Sequence, residues 1–242
     1  MMPQAVLSAA ISGPSPAPQT GVLPSLARGH LHEIHASADG WAAALGFVLS
    51  ALGPAGEQTI MLVRAKRSGP RLLPCGAGWA QAGLDPRRLV VVEAPDALGM
   101  LRAGLDAARC PGLAAVVLET WGPLPDYDLT ASRRLVLAAE RSGALVIVLR
   151  GDAPQRASAA QTRWQIDPGP SVALPGQAPG YPALSATLLR RRGGASGQSW
   201  PLRRTAWEGA FHEPEDAEQP TPLSGAVVPF PALRAGDQER AA

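Results

Sequence analysis

The sequence predicts an α/β fold: a doubly wound, mainly parallel sheet with helices on both faces, C-terminal antiparallel strands and disordered tails. Two observations carry this prediction. Short runs of apolar residues alternate with longer segments in which apolar residues recur at helical spacing, as in chains built from strand–helix–strand units. The alternation stops after residue 150, where strand-like segments follow one another without helices between them.

Five strands are predicted in the first part of the fold, and three of them contain a stretch that is apolar at every position. Residues 60–63, 90–92 and 146–149 consist only of Ile, Met, Leu and Val. A strand without polar positions is covered on both faces, which is typical of parallel sheets. The predicted strands are residues 30–36, 59–64, 89–93, 113–119 and 144–150.

Three helices are predicted between these strands. Residues 41–52 place their apolar side chains on one helical stripe. Residues 94–109 and 130–142 show a similar periodicity, with polar residues on the opposite face. Asp96 and Thr130 carry oxygens that accept hydrogen bonds from first-turn amides, so we expect them to cap the last two helices.

The C-terminal part of the fold is predicted to be antiparallel. Short strands are expected at residues 159–166, 183–191 and 198–205, and the Gly-rich residues 193–197 are expected to form the turn of the last pair. The Pro-rich residues 14–21 and the acidic, Pro-rich sequence after residue 207 cannot sustain regular structure. The predicted organisation is an N-terminal flexible segment at 1–28, one core domain at 29–207 and a disordered tail at 208–242.

Composition excludes several classes of protein. With 46% hydrophobic residues the chain can bury a substantial core, and its formal net charge of +2 does not by itself indicate a polyanion partner. Only two cysteines occur, without a CxxC motif, which argues against a disulfide scaffold or a zinc ribbon and favours a reducing cytoplasm. No apolar run reaches the length of a membrane span, and the N-terminus does not have the pattern of a signal peptide.

The loop after the first predicted strand is the natural phosphate site of a doubly wound sheet. A working phosphate loop reads GxxxxGK[ST], in which Lys neutralises the phosphates and Ser or Thr ligates magnesium. The candidate loop here has no Lys and no Ser or Thr at the helix start, but has an acidic side chain and a bulky indole. Its residues are Ala36, Asp39, Gly40, Trp41 and Ala42. Triphosphate would meet repulsion and crowding, so we expect no cofactor and no ATP chemistry.

The order of several short motifs resembles the RecA core and, more closely, the ImuA proteins. The first motif is GHLHEIH at residues 29–35, and the match extends over roughly residues 29–207. The further motifs are GLDPRRL at 83–89, PDAL at 95–98, AAVVLE at 114–119, RRL at 133–135 and GALVIVLR at 143–150. The resemblance implies a RecA-like fold.

ImuA proteins are accessory factors of bacterial SOS mutagenesis and DNA repair. The resemblance implies a cytoplasmic adaptor, nucleoid-associated when induced, that acts in translesion synthesis. The implied partners are an ImuB-like inactive Y-family polymerase homologue and an error-prone C-family polymerase, with RecA and DNA as further candidates. The resemblance also places Glu119 at the Walker B position and Lys66 near the position of the water-activating Glu of RecA. The loops at 121–129 and 151–157 are shorter than the DNA-binding loops of RecA, so a RecA-style filament is not expected.

Arginines bracket the predicted C-terminal hairpin, in a stretch without acidic residues between Asp167 and Glu208. Guanidinium groups on neighbouring strands, beside Trp200 and Trp207, would hold a phosphate backbone and stack on bases. The alternative is a solvated hairpin, or a docking face for an acidic protein. The candidate DNA-binding or partner-binding residues are Arg190, Arg191, Arg192, Arg203 and Arg204.

Other features carry weaker hypotheses. His30, His32 and His35 have no fourth ligand cluster nearby, so ordinary strand histidines are favoured over a metal site. In the tail, an apolar island around Val228, Phe230 and Leu233 is a candidate docking segment for a partner groove, or passive tail. Two alternative functions stay open: a residual ATP-dependent DNA-binding recombination protein, and a cell-division inhibitor resembling SulA.

Overall fold

The computed structural model describes residues 25–53, 57–66, 75–204 and 211–214. Most of the predicted N-terminal segment and C-terminal tail therefore lies outside the described residues. The helices are α1 (Trp41–Leu52), α2 (Gly76–Gln81), α3 (Ala97–Ala108) and α4 (Leu129–Ser142). The strands are β1 (Leu31–Ala36), β2 (Thr59–Ala65), β3 (Leu89–Ala94), β4 (Leu113–Trp121), β5 (Leu145–Gly151), β6 (Thr162–Pro168), β7 (Ala183–Arg191) and β8 (Ser199–Arg203).

The eight described strands form one sheet in the order β3-β2-β4-β5-β1-β6-β7-β8. The strands from β3 to β6 are parallel, whereas β7 and β8 continue the sheet antiparallel. On one face, α1 and Trp79 of α2 pack on a core that extends to Trp164 and Trp200. On the other face, α3 and α4 pack on a second core around Leu31, Val116 and Val148. The predicted doubly wound α/β class is confirmed.

The prediction that the C-terminal strands are all antiparallel is wrong for β6. This strand pairs with β1 in parallel on one edge and with β7 in antiparallel orientation on the other. The connection from β5 explains this arrangement. Asp152 N donates to Ala36 O at the end of β1, and Gln161 N donates to Leu31 O at its start. Residues 152–161 thus return along the whole length of β1 without a helix, so β6 begins at the same edge of the sheet as β1. The sequence pattern shows no helix here and gives no sign of this return.

The strand β3 also differs from expectation, because it lies at the free edge of the sheet. Val90 and Val91 are 42% and 39% exposed, although an all-apolar run predicts cover on both faces. Apolar composition alone does not distinguish a central strand from an edge strand.

One predicted helix cap and the predicted glycine turn are found in the structure, whereas the second predicted cap is not. Asp96 caps α3, its carboxylate accepting from Gly99 N at 2.7 Å, and the predicted glycine turn joins β7 to β8. Gly193 and Gly197 have positive φ there, a backbone conformation that favours glycine. The prediction that Thr130 caps α4 is wrong, because Asp128 accepts the hydrogen bond from Ala131 N at 2.7 Å. The six-residue helix α2 is not predicted.

Among the described residues, none of the helices has both the length and the apolar character needed to cross a bilayer.

Candidate functional site

The candidate nucleotide loop connects β1 to α1 and forms hydrogen bonds within itself. Gly40 N donates to Ser37 O at 3.1 Å, and Trp41 N lies 3.4 Å from Ala38 O. Two amides at the helix start, those of Gly40 and Trp41, are therefore engaged within the loop. Asp39 is exposed, whereas Gly40 and Trp41 are buried.

The Trp41 indole fills the space between the ends of β1, β4 and β5. Its ring centroid lies 5.1 Å from that of Trp121, in an edge-to-face arrangement. Both rings press on Gly151, where a Cβ would lie 2.6 Å from the Trp41 ring and closer still to Trp121. Glycine is required at residue 151 because of this close approach. The end of the sheet beside the loop is thus occupied by two indoles.

Glu119 is the last carboxylate of β4 and is 8% exposed. Burial raises its pKa, and the neighbouring Arg64 opposes this rise. Arg64, the Cα partner of Glu119 on β2, donates to Glu93 at 2.7 Å and 3.1 Å. The predicted Walker B-like carboxylate is therefore poorly solvated and lies beside a cation that is shared with a second carboxylate. Lys66 is exposed just after β2.

A buried polar network that sequence reasoning did not single out lies on the opposite face of β1. Glu33 is 1% exposed and accepts hydrogen bonds from Tyr127 at 2.7 Å and from Arg163 Nε at 2.6 Å. Arg163 also donates to Ser158 Oγ at 3.0 Å and to the carbonyl of Arg156. The network therefore fixes the 122–128 connection through Tyr127 and the 152–161 connection through Arg163. A carboxylate within the predicted strand at residues 30–36 is the signal that points to it.

The ionisation of this network is set by its contacts. Burial raises the pKa of Glu33, but the contacts with His35, Ser158, Arg163 and Tyr127 outweigh burial and hold the pKa at about 2. Burial and the neighbouring carboxylate raise the pKa of Tyr127 well above its usual value, so the phenol stays neutral and donates. Glu33 and Arg163 consequently form a buried ion pair at neutral pH.

The histidines do not belong to a cluster of three potential metal-ligating side chains, since no such cluster exists within the part of the chain that the structure describes. His32 contacts Thr162 Oγ1 at 2.7 Å and Ala27 O at 3.0 Å. Burial lowers its pKa to about 4, so the ring is neutral at pH 7. A neutral ring has one N–H, and this proton must lie on Nε2, because Ala27 O only accepts.

The five candidate hairpin arginines lie at opposite ends of the hairpin. Arg191 pairs with Thr162 at the start of β6, whereas Arg203 pairs with Ala183 at the start of β7. Residues 183 and 191 are separated by about 26 Å at ~3.3 Å per residue. The five guanidinium groups therefore do not form one continuous surface, and their binding of DNA or of a partner stays a prediction. Arg191 and Arg192 are exposed, whereas Arg190 donates to Ser158 O at 2.8 Å and Arg204 lies over the Phe211 ring.

The aromatic part of the hairpin hypothesis is also corrected. Trp200 is 1% exposed and packs on Trp164 with a centroid distance of 5.6 Å, so it belongs to the core and is not available to stack on bases. Trp207 lies outside the described residues, as does the candidate docking segment with Val228, Phe230 and Leu233.

No family model matches this sequence. The chain is 37% identical over 137 residues to Protein ImuA of Caulobacter vibrioides, in strains NA1000 / CB15N and ATCC 19089 / CIP 103742 / CB 15. The match covers 52% of this chain and 54% of each relative, so the chain spans about half the length of the curated relatives that it matches.

The fold is similar to that in the crystal structure of the RadB recombinase, with a TM-score of 0.51 and 14% sequence identity over 77% of this chain and 92% of the RadB chain. At this identity the likeness concerns the fold alone, and it confirms the RecA-like architecture. The two comparisons agree with the motif order in the sequence: this chain is a homologue of Protein ImuA with a RecA-like fold, which supports its placement in the ImuA family.

Proposed function

We propose that the chain is a non-catalytic RecA-like accessory protein of damage-induced mutagenesis. In this proposal it serves as an adaptor between an ImuB-like Y-family polymerase homologue and an error-prone C-family polymerase during translesion synthesis. The similarity to Protein ImuA supports the cellular role. The candidate nucleotide loop supports the absence of catalysis.

The observation that carries the proposal is the packing of Trp41 and Trp121 against Gly151 at the end of the sheet. A RecA-like fold uses this end for triphosphate, which needs a cation and free helix-start amides. Here two indoles occupy it, the Gly40 and Trp41 amides are engaged within the loop, and the exposed Asp39 would repel an anion. A sheet whose ligand end is filled by its own side chains is suited to serve as a rigid scaffold for partners.

The catalytic part is tested with the purified full chain, Mg²⁺ and ATP. We expect no phosphate release above that of buffer and no rise of the melting temperature, because a ligand that binds only the native form stabilises it. The Lys66→Glu variant restores the carboxylate expected near the end of β2 and is expected to stay inactive. The Glu119→Gln variant is the control for contaminating ATPases. Magnesium-dependent turnover that Glu119→Gln abolishes would contradict the proposal.

The adaptor part is tested by pull-down with the full chain from cells with damaged DNA. Recovery of polymerase-cassette proteins is the expected result. Recovery of a tubulin-like division protein instead would favour the SulA-like alternative. A triple alanine variant at Val228, Phe230 and Leu233 tests the proposed docking segment, and an unchanged recovery would show that this segment is passive tail.

A further inference from the structure

A row of arginines lies at the amino edge of the sheet, where the parallel strands begin and opposite the end that carries the candidate nucleotide loop. Arg28 precedes β1, Arg88 precedes β3 and Arg141 lies in the last turn of α4 before β5. Arg191 and Arg192 join this row from the end of β7, because Arg191 pairs with the first residue of β6.

Hydrogen bonds connect the members of the row. Arg88 Nε donates to Gln58 O at 2.9 Å, and Arg28 donates to Gln58 Oε1 at 2.8 Å, so one glutamine holds two guanidinium groups side by side. Arg28 Nε also reaches Gly143 O at 3.3 Å, two residues after Arg141. At the other end, Arg192 N donates to Gln161 O, and Gln161 N donates to Leu31 O at the start of β1.

The row has five cations, and the two exposed carboxylates next to it in sequence, Glu57 and Glu140, leave it with an excess of positive charge. Two of the nearby acidic residues are used locally, Asp85 by Arg87 and Asp106 by Arg109, each at 3.0 Å. Within the described residues none of the five arginines of the row forms an ion pair. The opposite, carboxyl edge exposes mainly acidic side chains, namely Asp39, Asp126, Asp128 and Asp152.

The shape of the row fits a linear polyanion. The row crosses six adjacent strands of the sheet, from β3 to β6, which is about 24 Å at ~4.8 Å between strands. Along the axis of a DNA duplex, this length corresponds to about seven phosphates of one strand at ~3.4 Å per phosphate. The residues that link the arginines are Gln58, Gly143 and Gln161, and none of them offers the apolar anchor on which protein interfaces depend.

We propose that the amino edge of the sheet binds the phosphate backbone of nucleic acid through Arg28, Arg88, Arg141, Arg191 and Arg192. The surface retains Arg191 and Arg192 of the predicted hairpin surface as its end and adds three arginines that the sequence did not connect with them. It leaves out Arg190, Arg203 and Arg204. The inference rests on the proposed function only in that the nucleic acid would be bound during the response to DNA damage. It needs neither polymerase partner.

The test measures binding of a fluorescently labelled single-stranded oligonucleotide by anisotropy at several KCl concentrations. The edge variant combines Arg141→Glu, Arg191→Glu and Arg192→Glu. Its control combines Arg102→Glu, Arg133→Glu and Arg134→Glu, which changes the charge equally at exposed helix positions outside the row. The edge variant no longer neutralises three phosphates, and each contributes ~0.7 to the slope of log affinity against log salt concentration. This slope should therefore fall by about 2, and the affinity at ~50 mM salt should fall at least about tenfold.

The control variant should lose much less affinity than the edge variant. Equal loss in both variants, or no salt-sensitive binding by the wild type at low salt, would overturn the proposal. Displacement of the DNA by poly-glutamate of equal charge would also overturn it, because the surface would then take any acidic chain.

A cation in the last turn stabilises a helix, so Arg141→Glu can weaken folding. The pair Arg191→Gln and Arg192→Gln avoids the helix and should still lower affinity. An unchanged affinity in this folded pair contradicts the proposal. Pull-down of cassette proteins by the edge variant distinguishes this proposal from the adaptor proposal. Loss of DNA binding with unchanged recovery of partners concerns the edge alone, and failure to recover partners with unchanged DNA binding concerns the adaptor function alone.

Discussion

On either side of β1, the two faces of the sheet are stabilised by different kinds of interaction. On the α1 face, Trp41 and Trp121 close on Gly151 through shape alone. On the α4 face, Glu33 ties two connections to the sheet through charge and hydrogen bonds. Close packing tolerates no added volume but does not respond to pH, whereas a buried ion pair responds to the loss of either partner. The two faces should therefore differ in their response to substitution.

The largest expected effect is on the polar face. Glu33→Ala leaves Arg163 buried at 8% exposure without its carboxylate, and breaking a buried pair in this way costs about 3–5 kcal/mol of unfolding free energy. Urea denaturation measures it. Glu140→Ala, on the exposed side of α4, should change stability by less than about 0.5 kcal/mol. Similar losses in the two variants would mean that the Glu33 network does not hold this face together.

The packed face is tested by adding one methyl group. Gly151→Ala places a Cβ into both indoles, and overpacking of this kind costs about 1–3 kcal/mol. Tryptophan fluorescence should change as well, since both rings must move. Gly112→Ala is the matched control, because its Cβ would meet only Cys110 Sγ at 3.8 Å. A neutral Gly151→Ala with unchanged fluorescence would show that the loop end is loosely packed.

Acidification tests a third group, His32, which belongs to neither the indole packing nor the Glu33 network. The His32 pKa falls from 6.5 to about 4 on folding, so the unfolded chain binds the extra proton between these values. Stability is therefore complete above pH 6.5 and is lost as pH falls, by at most about 1.4 kcal/mol per pH unit. From pH 6.5 to 5 the loss should approach ~2 kcal/mol, before Glu33 contributes below its unfolded pKa of 4.5.

Substitutions of a buried and of an exposed histidine test whether His32 causes this pH effect. His32→Gln should flatten the stability profile between pH 6.5 and 5, as measured by urea midpoints at each pH. His212→Gln, at an exposed position, should keep the slope. A slope that persists in His32→Gln would assign the pH dependence to other groups.

The sequence predicts the strands and helices of this fold well where periodicity decides, and less well where position in the sheet decides. The bounds of α1 are recovered in full, since its stripe of apolar residues is unambiguous. The exposed edge at Val90 and the parallel pairing of β6 depend on which strands become neighbours, and no local pattern encodes that. The same limit separates Arg191 from Arg203, which are close in sequence but at opposite ends of a hairpin.

The smallest expected effect concerns a cap that local chemistry leaves ambiguous. Asp128, Thr130 and Ser132 all carry oxygens able to cap α4, and only the start of the helix at Leu129 selects Asp128. Asp128→Ala should cost about 1 kcal/mol, because Ala131 N then loses its acceptor at the first turn. Thr130→Ala should stay within ~0.5 kcal/mol, since Thr130 is exposed. The reverse order in thermal denaturation would mean that Thr130 caps the helix and that α4 begins two residues later.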